Sequence, residues 1–263
     1  MKTLYDAALL CLTAVFIGGC SSRHAGPVYR AGDENPPDFL VGPVAAVLTN
    51  LNGFSAHVTS TVSSPEGTPQ VKSGELLGRE GRLIYQPMPS RKDKKARKQG
   101  GLFFIWDESK RSGYVMSEAL QGYAPIKSDA AAATRLNISN EGIREDVNGH
   151  PCHRCKAVVV LNDGREARLT LWQADDEKHF PIRIEAVNGP SRTTLDFSEI
   201  RLETPARELF LPPDGFTAYG SSTAMMNELI VREASAIKKN QAGEFDEPTD
   251  VRSSNWHQTP GAP

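Results

Sequence analysis

Four side chains able to ligate a metal or exchange electrons fall within six residues: His150, Cys152, His153 and Cys155. Imidazole and thiolate together suit zinc or copper, and two cysteines separated by two residues can form a dithiol–disulfide couple. The surrounding residues read as a strand, on which positions i and i+3 point to opposite faces, so Cys152 and Cys155 converge only where the segment turns. A redox dithiol belongs at a helix start in a βαβ unit, which this stretch lacks, and the absence of His after Cys155 excludes c-type haem attachment. A structural disulfide, a pair of free thiols and metal or thiol chemistry stay open, with no metal and no cofactor as the expectation. His24, His57 and His179 have no evident partners in the sequence. No G-x-S-x-G, H-E-x-x-H, phosphate-cradling glycine loop or spaced carboxylate pair occurs, which points away from an enzyme.

Cys20 offers different chemistry. Lys2 precedes an apolar stretch, Ala7 to Ile17, of the length of a secretory h-region. It ends Ile17-Gly18-Gly19-Cys20, which resembles the bacterial lipoprotein box: small side chains let a peptidase reach the scissile bond, and the thiol carries a thioether-linked diacylglycerol. Each buried methylene contributes about 0.8 kcal/mol, so several acyl chains make a lasting membrane anchor where one does not. Ser21, in place of Asp, points by the same resemblance to the outer membrane, with the protein facing the periplasm. Residues 1–19 are then a signal peptide and 20–37 a small, polar, proline-bearing lipidated tether. In that compartment disulfides are permitted. A third feature is a basic run, Arg91, Lys92, Lys94, Lys95, Arg97 and Lys98 around Asp93, six cations and one anion. It is bounded by Pro87, Pro89, Gly100 and Gly101, reads as a loop between strands, and suits docking on anionic lipid or an acidic protein.

The elements that position these groups follow from pattern. The 263 residues are 39% hydrophobic and 24% charged with net charge −2, a globular composition with no basic excess for nucleic acid. After the first twenty residues no apolar run approaches the ~20 needed to cross a bilayer as a helix. Gly42-Pro43 opens a helix with Val44, Val47, Leu48 and Leu51 on one face. Strand alternation follows at Phe54, Ala56 and Val58, at Leu83 to Tyr85, at Ala167, Leu169 and Leu171, and at Ile182, Ile184 and Ala186. Leu102 to Trp106 and Ala157 to Leu161 are continuously apolar and read as more buried. Leu195 and Phe197 share one phase while Ile200 and Leu202 have the other, which predicts a bulge or bend between them. A second helix, capped by Ser222 or Thr223, presents Met226, Leu229, Ile230, Ala234 and Ile237, with Lys238 and Lys239 at its end. Residues 241–263 lose all periodicity and read as a disordered tail.

Taken in order, three segments resemble the LolA/LolB-like superfamily of periplasmic lipoprotein-sorting proteins: Gly149, Pro151 and Cys152; Trp172, Ala174, Asp175, Pro181, Ile182 and Arg183; and Leu209, Phe210, Pro213, Gly215 and Phe216. Cys155 stands where that family usually has Tyr. The resemblance implies an α+β, mainly β domain over 38–240, a strongly curved antiparallel sheet forming an incomplete barrel covered by an N-terminal and a C-terminal helix. It further implies an apolar cavity for an acyl chain, lipoprotein or other amphiphile. Phe54, Val58, Phe104, Trp106, Leu169, Leu171 and Ile184 are its expected lining, with Trp172, Phe103 and Tyr114 as further aromatic candidates. The alternative is a protein-interaction or envelope-sensor module without lipid transfer.

Overall fold

The computed structural model describes residues 32–88 and 101–243. The segments read from the sequence as a signal peptide and a tether up to residue 31, with Cys20, the basic run and the tail beyond Gly243, lie outside the described residues. The chain enters through two short helices, α1 (Asp38–Val41) and α2 (Pro43–Leu48), rather than the single helix over 43–51 that the periodicity predicts. Gly42 is extended, with φ −106° and ψ −162°, and divides them. Pro43 then starts the second, its missing N–H costing nothing in a first turn. Phe39, Leu40, Val44, Ala45, Val47 and Leu48 are all buried, whereas Leu51 lies beyond the helix.

Twelve strands follow: β1 (Phe54–Ser63), β2 (Gln70–Arg79), β3 (Arg82–Pro87), β4 (Leu102–Asp107), β5 (Ser112–Ser117), β6 (Gly122–Lys127), β7 (Ala133–Val147), β8 (His150–Leu161), β9 (Glu166–Ala174), β10 (Pro181–Asn188), β11 (Ser191–Arg201) and β12 (Thr217–Ala218). They form one open sheet in the order β12-β6-β5-β4-β3-β2-β1-β11-β10-β9-β8-β7. Every pairing is antiparallel except the short parallel contact of β12 with β6. This is the curved, mainly β architecture the sequence implies. It is one sheet because each hairpin adds a strand beside its predecessor, until β11 returns to lie against β1 (Val58↔Phe197, Ser60↔Leu195).

The concave face carries the main core. Phe54, Ala56 and Val58 of β1 point inward with Leu195 and Phe197 of β11 and Ile184 of β10, while their alternates face out. Two glycines make room on β2. A Cβ at Gly78 would stand 2.2 Å from the Phe54 ring, and one at Gly74 would stand 2.4 Å from Tyr85. Edge-to-face ring pairs, Phe54–Phe180 at 5.1 Å, Phe180–Phe197 at 5.6 Å and Phe39–Tyr85 at 5.0 Å, tie helix, loop and sheet together. The bulge expected between Phe197 and Ile200 is present: Ser55↔Arg201 gives way to His57↔Ser198, three residues on β11 against two on β1, with Glu199 at φ 52°. The run Ala157 to Leu161 departs from expectation. Only Ala157, Val159 and Leu161 are buried, because the convex side of β8 meets solvent at Val158 and Val160. At β3 and β4 both faces are covered, so Leu83, Ile84 and Tyr85 are all buried.

What covers the convex side there is the chain itself. After β11 a strap crosses the outside of the sheet, held by Arg79 Nη1 donating to the Pro205 carbonyl at 2.8 Å. A short 3-10 helix (Arg207–Phe210) then sets Phe210 among Ile84, Ile105 and Met116. The strap ends as β12 on the edge of β6, and the chain turns around that edge into α3 (Ser222–Gly243), whose Met225, Met226 and Leu229 join the concave core. Ser221, one residue before the expected caps, accepts the Ala224 N–H at 3.1 Å. The buried stripe of α3 also differs from the expected one: Ala234 is exposed and Glu233 is buried. Lys238 and Lys239 lie inside the helix, which continues to Gly243.

If Phe210 pins the strap, Phe210→Ala lowers the unfolding free energy by about 3 kcal/mol while exposed Leu209→Ala changes it by less than about 0.5 kcal/mol. Urea titration followed by circular dichroism checks this, and equal effects would show that Phe210 does not anchor the strap.

Candidate functional site

The cavity lining expected from the sequence converges as a set. Phe54, Val58, Phe104, Trp106, Leu169, Leu171 and Ile184 belong to one buried cluster on the concave face, in contact with the apolar sides of α1, α2 and α3. None of the seven is more than 3% exposed. None of the seven lines either of two clefts of about 210 and 220 Å³ among the described residues. The other three aromatics lie on the convex face. Phe103 and Tyr114 pack in the cluster around Phe210. Trp172 lies between the guanidinium groups of Arg154 and Arg183, each 6.0 Å from its ring, and donates to Glu145 at 3.2 Å.

Coverage of the concave face is uneven. One row of directly paired residues runs Ile138, Ala157, Leu169, Ala186, Thr193, Val62 across β7, β8, β9, β10, β11 and β1. Ala157 and Leu169 are buried, Ala186 and Thr193 half-buried, and Ile138 and Val62 are 41% and 40% exposed. The next row inward, Cys155, Leu171, Ile184, Leu195 and Ser60, is wholly buried. The apolar face therefore runs without a break from the packed interior to a partly open margin.

Sequence reasoning missed a polar contact that holds α1 to the sheet. Arg111, in the β4–β5 turn, donates from Nη1 to the Val41 carbonyl at the end of α1 at 3.2 Å, and from Nη2 to the Ala130 carbonyl at 2.6 Å. Glu108 fixes this guanidinium at 2.9 Å and also accepts the Trp106 indole N–H at 2.8 Å, while the guanidinium lies 5.6 Å from the Trp106 ring. Arg111 has φ 52°, a conformation uncommon outside glycine and asparagine. A non-glycine residue with positive φ in a tight turn gives no sign in the sequence. Phe39 and Leu40 were also missed, although Asp-Phe-Leu-Val before Gly42 is a short apolar helix turn.

The His/Cys cluster separates. Cys152 and Cys155 are both free and buried on opposite faces of β8, Cys152 in the convex cluster and Cys155 in the concave one, so neither disulfide nor thiol pair forms. Strand alternation is the reason. Cys155 Sγ donates to Gln173 Oε1 at 3.2 Å. Burial pushes both thiols up from their ordinary pKa, which opposes the thiolate needed for nucleophilic or redox chemistry. His150 pairs with Asp176 at 3.2 Å and His153 with Asp175 at 3.0 Å. Among the described residues no group of three or more His, Cys, Asp or Glu is placed to hold a metal ion. His57 lies 3.4 Å from the Ser198 hydroxyl.

No protein-family model matches this chain, and no curated protein matches it by sequence. Among solved structures it is similar to a LolA superfamily protein from Nitrosomonas europaea, with 10% identity and a TM-score of 0.35 over 64% of this chain and 93% of that one. It is also similar to the lipoprotein LppX from Mycobacterium tuberculosis, with 14% identity and a TM-score of 0.36 over 62% of this chain and 96% of that one. A third is a putative outer membrane lipoprotein-sorting protein domain from Vibrio parahaemolyticus, with 10% identity and a TM-score of 0.33 over 63% and 92%. The likeness is one of architecture.

Two outcomes follow from this geometry. Arg111→Met removes charged hydrogen bonds to two carbonyls and lowers stability by about 2 kcal/mol. Hydrogen exchange then accelerates in α1 and α2 while β8–β11 stay protected; uniform acceleration would show that Arg111 supports the whole fold instead. Tyr85 donates to the Ser73 carbonyl at 3.3 Å, and burial pushes its phenol up to about 12 from 10.0. An acid weakened by folding contributes stability that is full below its unfolded pKa and is lost as pH rises through its folded one. Stability therefore falls between pH 10 and about 12, and Tyr85→Phe flattens that fall in denaturation measured against pH.

Proposed function

We propose that this chain is a lipid-anchored protein of the bacterial envelope that holds an acyl chain, a lipoprotein or another amphiphile on the concave face of its sheet. The observation that carries the reading is a continuous apolar face covered by three helices, none joined to the sheet by strand pairing, and partly open at the two ends of one row, Ile138 and Val62. Such a cover can be displaced without breaking a ladder of hydrogen bonds. Burying a sixteen-carbon chain withdraws methylenes worth about 12 kcal/mol from water, enough to compensate for helix side chains leaving the face. The apolar face asks for no headgroup chemistry, so it suits a class of ligand rather than one compound. In this reading Cys20 carries the anchor, Ser21 directs it to the outer membrane, and the chain does no catalysis.

A second reading has its own observation. The seven expected lining residues are all buried in one cluster with helix residues, which is what a protein-interaction or sensor module with a solid core would show.

Native mass spectrometry of the mature chain with Cys20→Ala, exported to the periplasm behind an ordinary cleavable secretory signal in place of residues 1–19, separates the two. The expected result is an adduct with the mass of a lipid or acylated peptide, increased in Arg111→Met. A bare polypeptide mass, unchanged after incubation with acylated peptides, assigns the chain to the second reading. The anchor is tested on the natural chain: globomycin and Cys20→Ala should each block processing, and unchanged processing would remove the lipoprotein assignment.

A further inference from the structure

We propose that residues 135–139 of β7 pair, antiparallel and about a two-fold axis at Asn137, with the same residues of a second copy of this chain. β7 is the last strand at one margin of the sheet and pairs only with β8. Its outer side therefore presents N–H and C=O groups at every second residue, and among the described residues no backbone bond reaches them. Open edges are normally guarded. At the other margin β12 covers Gly122 and Tyr123 of β6, and Pro125 and Lys127 blunt the remainder of that edge. The second half of β7 is guarded too, by the register shift between Asn140 and Ile143, by Gly142 at φ 74°, and by the charges of Arg144, Glu145 and Asp146. The regular stretch before that shift, Arg135-Leu136-Asn137-Ile138-Ser139-Asn140, has no proline and one charge.

Side-chain chemistry selects the occupant. Around Asn137 the sequence is symmetric by type, with the branched aliphatics Leu136 and Ile138 on the concave face and polar Arg135 and Ser139 on the convex one. Leu136 is half-buried against the core, and Ile138 is 41% exposed. A two-fold axis at Asn137 sets Leu136 opposite the partner's Ile138, and Ile138 opposite the partner's Leu136. Arg135 then faces the partner's Ser139, so no like charges oppose each other directly. Directly opposite residues of antiparallel strands share a face, which makes these two close apolar pairs on the inner side. An axis at Ile138 would instead leave each Leu136 opposite Asn140 and lose one of the two pairs. The apolar row that ends at Ile138 thus continues into the partner's row, and the open margin there is covered. This inference rests on the edge of β7 and holds whether or not the concave face takes an acyl chain.

The test uses the mature chain with Cys20→Ala, so that no anchor contributes. Sedimentation velocity should show a monomer giving way to a dimer as concentration rises about a hundredfold. Ile138→Lys puts a cation on the edge and removes both Leu–Ile pairs, and it should raise the dissociation constant about tenfold or more. Ile143→Lys, at the similarly exposed position beyond the register shift, should leave it unchanged, and circular dichroism verifies that both variants are folded. Cysteine pairs read the register. Cys152 and Cys155 are buried, so under mild oxidation Asn137→Cys should cross-link to its own copy, whereas Arg135→Cys and Ser139→Cys should cross-link only when mixed. A monomer throughout that range overturns the proposal, as does a dimer that Ile138→Lys leaves intact or in which Arg135→Cys alone cross-links as well as the mixture. A chain that stays monomeric yet binds a synthetic peptide of residues 133–140 also overturns it, and assigns the edge to a strand of another protein.

Discussion

A sheet that curls without closing leaves its concave lining exposed to water, and the removal of that lining from water is the condition on which the rest of this structure depends. β7 stands at one margin and β12, beside β6, at the other. No strand pairing bridges them, so helices must supply the missing wall. The chain provides α1 and α2 before the first strand and α3 after the last, and directs both to the inner face. The strap across the convex side is how a segment leaving the middle of the sheet at β11 reaches the far margin. Phe210 gives that detour a buried contact of its own.

Polar chemistry is sparse at the site and concentrated where pieces meet. Glu108 orients both the Trp106 indole and the Arg111 guanidinium, so one carboxylate couples a core aromatic to the carbonyl at the end of α1. The thiols show the opposite treatment. Each is buried on its own face of β8, next to apolar neighbours, and its proton is retained. A motif of chemically capable residues thus becomes two small core residues, because a strand separates what a helix or turn would unite.

Alternation made the concave side of β1, β9, β10 and β11 legible in the sequence, and the phase change between Phe197 and Ile200 located a bulge. Both depend on neighbours along the chain. What depended on distant segments was hidden. Ile84 is buried because Phe210 covers it, 126 residues later in the sequence, and no pattern within β3 announces that. Gly42 separates α2 from a preceding turn of helix, Asp38–Val41, that the periodicity from Pro43 onward does not announce. Arg111 reads as one more surface cation, and only the folded arrangement brings it to Val41 and Ala130. The seven lining residues were legible as inward-facing, whereas the helix side chains packed against them could be seen only in three dimensions.

The covering helices sit outside the strands in chain order, and this has a mechanical meaning. A pull applied at the residues preceding Asp38 reaches α1 and α2 before it reaches any strand, and the bond from Arg111 to the Val41 carbonyl lies in the path of that load. The strands would be loaded later, with β1 held on both sides by β2 and β11. Tension along the leading segment and occupancy of the concave face would therefore act on the same short piece of backbone.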